Sequence, residues 1–146
     1  MTKSIICSMA VFASLVVAPL VGLCATRELS AAFDAVKRIP LVEMRGDGYE
    51  TRRLDAEKAL DAAKAALSSA EDKRLYSLLK ATMESRSLAR VDSVYGDLAI
   101  QCTREAFLAF SPDDLSKEAT EAAKRGTCIA DYKQTMEGLK AGKAQK

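Results

Sequence analysis

The residues of this chain whose type and spacing could do chemistry are its carboxylate pairs and its cysteines, because it contains no histidine. That absence removes the commonest general base, the Ser–His and Cys–His routes to an activated nucleophile, and the usual zinc or copper ligand. The close carboxylate pairs are Asp113 with Asp114, Glu118 with Glu121, and Glu57 with Asp61 at i, i+4. Each reads better as a helix cap or a solvated helix face than as an acid/base couple. A carboxylate-based hydrolase using Asp113, Asp114 or Glu118 is therefore a remote alternative. Gly46-Asp47-Gly48-Tyr49-Glu50 has too few oxygen ligands at loop spacing for calcium. A Gly-rich phosphate loop, a GxSxG elbow, an SxxK pair and tryptophan are also missing. No enzyme activity, cofactor or metal is expected.

The cysteines need their compartment first. Lys3 is the only charged residue before Arg27, and it is followed by an apolar run through Ala18, then Pro19 and the small-residue exit Val21-Gly22-Leu23-Cys24-Ala25. A basic start, an apolar centre and a small-residue exit make a secretory signal peptide over residues 1–25, cut near Cys24 or Ala25. The run approaches the length of a membrane anchor, and Pro19 with the small exit residues argues against one. Lipidation at Cys24 is disfavoured because Leu23 stands where that signal wants Gly, Ala or Ser. Export to a periplasm or the medium leaves Cys102 and Cys128, which in an oxidising compartment most simply form one disulfide. Two cysteines cannot complete a structural zinc site, and their spacing of 26 is not a CxxC redox motif.

Without Lys3 the charge is 21 Lys+Arg against 20 Asp+Glu, or +1. Interspersed signs near neutrality give no footprint for nucleic acid or an anionic membrane, so neither is expected as a partner after signal cleavage. A mature chain of about 120 residues fits one domain with one modest core.

The elements that must position these residues are helical. Leu29, Ala32, Phe33 and Val36 fall on one face over 27–39, with Thr26 as a cap and Pro40 as a stop. Residues 40–51 break the pattern at Gly46-Asp47-Gly48 and form a loop or a small hairpin. An Ala-rich stripe from Ala56 to Ala70 follows. Ser69 caps the next stripe, Leu75, Leu78, Leu79, Thr82 and Met83. The polar interval 84–87 is a break or an exposed patch. Beyond it Val91, Val94, Tyr95, Leu98, Cys102, Ala106 and Ala109 read as one stripe, with Phe107 and Phe110 near its end. Ser111-Pro112-Asp113-Asp114 opens a further helix that stops at Gly126. Thr127 caps the last, with Ile129, Tyr132, Met136 and Leu139 on one face.

The fold expected is an all-α bundle of five to six helices over 26–141, with a frayed tail at 142–146. One disulfide, Cys102 to Cys128, joins the fourth-helix region to the last helix. The candidate contact surface is the loop carrying Met44, Arg45, Tyr49, Arg52 and Arg53, since Tyr, Met and Arg on a protruding segment suit protein contact.

Thr127-Cys128-Ile129-Ala130-Asp131-Tyr132, followed by Glu137 and Leu139, resembles the C-terminal helix of small periplasmic immunity proteins that partner type VI secretion amidase effectors. The likeness covers about a dozen residues, the N-terminal half has no counterpart, and no binding residue carries over. It implies an exported, all-α, disulfide-containing inhibitor of a secreted cell-wall hydrolase. The residues themselves point to an exported non-enzymatic protein that binds another protein.

Overall fold

The computed structural model describes residues 17–40 and 48–144, with side chains described within 26–40 and 48–143. The described residues form six α-helices and no strand. The expected signal segment lies largely outside them, as do Met44, Arg45 and the rest of 41–47. Helix α1 runs Val17–Val36 and continues through Thr26, so that residue does not cap it. Leu29, Ala32, Phe33 and Val36 are all buried, and Ile39 follows them into the core just before Pro40.

Helix α2 spans Tyr49–Ala65. It starts at Gly48, whose φ of 81° is left-handed and suits glycine, and the Arg52 amide already donates to the Gly48 carbonyl at 2.8 Å. The Tyr49–Thr51 arm of the possible hairpin is therefore the first turn of a helix. Ala56, Leu60 and Ala63 are its buried stripe. The methyl side chains let α2 lie close along α1, its main packing partner.

Helix α3, Ala70–Val91, is the central element and touches α1, α2 and two later helices. It opens on a reciprocal box. The Asp72 amide donates to Ser69 Oγ at 3.0 Å, and Asp72 Oδ2 accepts from the Ser69 amide at 3.2 Å. Burial pushes the Asp72 carboxyl up, but hydrogen bonds from the Ser69 and Ser68 amides and from the Ser68 hydroxyl outweigh it, so its pKa is lowered.

The interval 84–87 neither breaks α3 nor forms an exposed patch. Ser85 and Arg86 are buried. The break comes at Asp92, whose extended backbone ends α3 and whose side chain accepts from the Val94 amide at 3.0 Å. A 3₁₀ turn over Ser93–Tyr95 then leads into α4, Gly96–Phe110. The single stripe expected from Val91 to Ala109 is thereby split. Val91 and Val94 fall on the wrong side of the split and stand 87% and 70% exposed.

Ser111 does not cap a helix either. Its hydroxyl is held by Asp114 at 2.5 Å in a 3₁₀ turn over Pro112–Asp114, and Leu115 is extended. Ser116 caps α5, Lys117–Ala123, by accepting from the Ala119 amide at 3.1 Å. Gly126, φ 64°, turns the chain into α6, Cys128–Ala144, which continues into the residues expected to fray.

Two apolar clusters result. The larger gathers α1 to α4 around Phe33, whose ring meets Phe107 edge-on and Phe110 in a stack, both at 5.1 Å. The smaller holds Leu78, Ala81, Cys102 and Cys128, with Leu98, Ile129 and Tyr132 against it. Cys102 and Cys128 are bonded, S–S 2.05 Å, and fully buried, tying α4 to α6. Among the described residues no helix is long and apolar enough to cross a membrane.

Candidate functional site

Three polar arrangements stand out against this scaffold, and two of them are used up inside it. Arg86 on α3 is only 5% exposed and is bonded to no carboxylate among the described residues. Its Nη1 donates to the carbonyls of Val36, Lys37 and Ile39 at the end of α1, and its Nε donates to Thr103 Oγ1 at 3.1 Å. The Val36 carbonyl also accepts from the Ile39 amide at 3.1 Å, and Lys37 and Ile39 follow closely on the last residue of α1, at the negative end of its dipole. Burial still lowers the guanidinium pKa to about 10. Arg86 is a cap delivered from another helix.

Glu105, on α4, is buried to the same extent as Asp72. Its Oε2 accepts from the Cys128 amide at 2.8 Å and from Gln101 Nε2 at 2.9 Å, and the same Gln101 nitrogen reaches the Ala122 carbonyl at 2.9 Å. A carboxylate at the first amide of α6 complements that helix dipole, so Glu105 orients the end of α6 that carries the disulfide.

The third arrangement is open. A groove of about 540 Å³ lies between α2 and α3, with Met136 of α6 at its edge. Tyr49, Glu50, Arg53 and Glu57 form one wall; Met83, Glu84, Ser87, Leu88 and Val91 form the other. Arg53 is held by Glu50 at 3.1 Å and by Glu57, and its pKa is raised by the Glu50 hydrogen bond and by both nearby carboxylates. The Arg90 guanidinium sits 3.7 Å above the Tyr49 ring centre, a cation–π contact that keeps the ring at the mouth.

Of the five residues expected to form a contact loop, the groove unites Tyr49 and Arg53, both on α2 rather than in a loop. Arg52 is not on the groove lining, and its Nη1 donates to the Arg38 carbonyl at 3.3 Å. Met44 and Arg45 lie outside the described residues. Sequence reasoning missed Leu88, Val91 and Met136, having assigned Val91 and Met136 to core stripes, whereas Met83 is a core residue as its stripe implied and also lines the groove. The available signal was Asp92-Ser93, a side-chain-to-backbone turn pair that can end a helix.

The carboxylate pairs do not converge on a common site. Asp113, Asp114, Glu118 and Glu121 are exposed on the 3₁₀ turn and α5, with Glu121 paired to Lys124 at 2.7 Å, and Glu57 is taken by Arg53. Among the described residues no group of three or more His, Cys, Asp or Glu is placed to hold a metal ion. With this geometry in view, comparison with protein-family models, curated proteins and solved structures returned no match to the chain.

Proposed function

We propose that this is an exported, non-enzymatic protein that acts by binding another protein through the groove between α2 and α3. The observation that carries the reading is Val91, a large apolar side chain left 87% exposed beside Leu88, Met83 and Met136. Valine in water at the rim of an apolar floor gains from being covered, and Tyr49 and Arg53 are residue types that serve well at contact centres. Export rests on the basic start, apolar run and small-residue exit of residues 1–25.

The likeness around Cys128 narrows the partner to a secreted cell-wall hydrolase as a second form of the same reading. Cys128, Ile129 and Tyr132 pack in the smaller cluster, so the shared residues concern how α6 is anchored rather than what it binds.

The test is affinity capture from a periplasmic extract with the oxidised protein starting at Thr26, compared with Val91→Glu. A partner held by the wild-type chain and lost with Val91→Glu at unchanged melting temperature supports the proposal. Equal recovery by both proteins removes the groove from it. A captured amidase whose activity falls on addition of this protein would support the narrower form.

A further inference from the structure

The walls of the groove constrain what it can receive. Its α2 row, Tyr49 to Glu57, and its α3 row, Met83 to Val91, each cover eight helical steps, or about 12 Å at the helical rise. Both walls are helix flanks rather than strand edges, so the groove offers no ladder of backbone groups to an extended strand. An incoming segment must therefore satisfy its own backbone hydrogen bonds, and a helix does so. Two turns of helix match the length, with apolar side chains at i, i+3 or i+4, and i+7 reaching Met83, Leu88, Val91 and Met136.

The charge at the walls sets the second requirement. Among the described residues lining the groove, Glu50, Glu57 and Glu84 face a single guanidinium, Arg53, which is already bonded to Glu50 and Glu57. Counting Arg90 above Tyr49, the balance is still one negative charge, in a chain whose expected mature charge is +1. An acidic, apolar-floored groove on a slightly basic protein selects a cationic visitor.

We infer that the groove receives a basic amphipathic helix of the partner protein, two turns long, with Lys or Arg flanking its apolar stripe. This rests on the protein-binding reading above and adds the chemistry of the partner segment. The test places a benzophenone amino acid at Val91, and separately at Ser87, in the full chain in its producing cell, with the same substitution at exposed Lys117 on α5 as control. Irradiation is followed by mapping of the cross-linked peptide.

The expected result is an adduct from both groove positions and not from position 117, on a peptide with the stated apolar spacing and Lys or Arg beside it. A synthetic copy of that peptide should bind the oxidised protein and lose at least tenfold in affinity against Glu57→Lys/Glu84→Lys. An adduct on an acidic or extended segment of another protein overturns this inference while leaving the binding reading intact. An adduct on residues 41–47 of the same chain, on a second copy, or on nothing overturns both.

Discussion

The larger apolar cluster and the smaller one hold their helices by different means. In the larger, α1 to α4 converge on Leu29, Phe33, Val36, Leu60 and Leu79, and the aromatic rings of Phe107 and Phe110 close the space around Phe33. In the smaller, α6 brings Cys128 into the interior and only half-covers Ile129 and Tyr132. Its contact with α3 and α4 has little buried aliphatic area, so a covalent bond and the Glu105 hydrogen bond do what bulk does elsewhere. The domain is thus a packed four-helix body to which the last helix is fastened by a covalent bond as well as by packing.

The largest expected effect lies in the packed body. Phe33→Ala should destabilise by about 4 kcal/mol, because it removes a ring from between two others and leaves a cavity the bundle cannot fill. Denaturant titration should show the loss across all six helices. If α6 alone responded, the division between the two clusters would be wrong.

Next is the staple. Cys102→Ser/Cys128→Ser should cost about 3.5 kcal/mol on the chain-entropy estimate for this loop, or roughly 14 °C in melting temperature for a domain of this size. If α6 is fastened rather than merged, amide exchange in the variant should accelerate first over Cys128–Ala144, while α1 to α3 stay protected. Uniform acceleration would mean that the smaller cluster is an integral part of the core. An unchanged melting temperature would deny the bond any stabilising part.

How far this was legible in the sequence follows from the same contrast. The all-α class and the Cys102–Cys128 bridge could be read because both depend on local periodicity and on a count of cysteines. The burial of Arg86 could not, because its partners are carbonyls of Val36, Lys37 and Ile39, some fifty residues away and invisible as side chains. Ser111 misled because Pro112 and two aspartates imitate a helix start, while Asp114 in fact closes on Ser111 itself. Val91 misled for a similar reason. Helical spacing carried the stripe past Asp92, but the Asp92 side chain prefers the Val94 amide and resets the phase. Of the ten residues lining the groove, Tyr49 and Arg53 are among those singled out from the sequence, and six lie on α3 and α6, which only tertiary packing brings alongside α2.

Arg86→Met sharpens the comparison from the other direction. It takes the Arg86 donor from the Lys37 and Ile39 carbonyls just past α1, and it also removes a desolvated charge. The two effects oppose each other, so the expected loss is about 2 kcal/mol, less than for Phe33→Ala. Exchange should rise locally at the end of α1, around Val36 to Ile39. A loss equal to that of Phe33→Ala would make the buried cation as important as apolar packing in holding the larger cluster together.

The smallest effect isolates the start of α3, which with α4 contributes to both clusters. Ser69→Ala removes the acceptor for the Asp72 amide and should cost about 1 kcal/mol. Asp72→Asn tests the other half of the box and carries a pH signature. The folded-state pKa of Asp72 is lowered below its ordinary 3.8, so the unfolded chain binds the proton more readily. Its stabilising contribution is therefore present above the unfolded value and lost as pH falls through the folded one. The stability gap between wild type and Asp72→Asn should be full at pH 7 and should narrow toward pH 2. Because α3 is shared, both clusters should weaken together in either variant. A loss confined to α6 would instead mean that the smaller cluster depends on the start of α3 while the larger one does not.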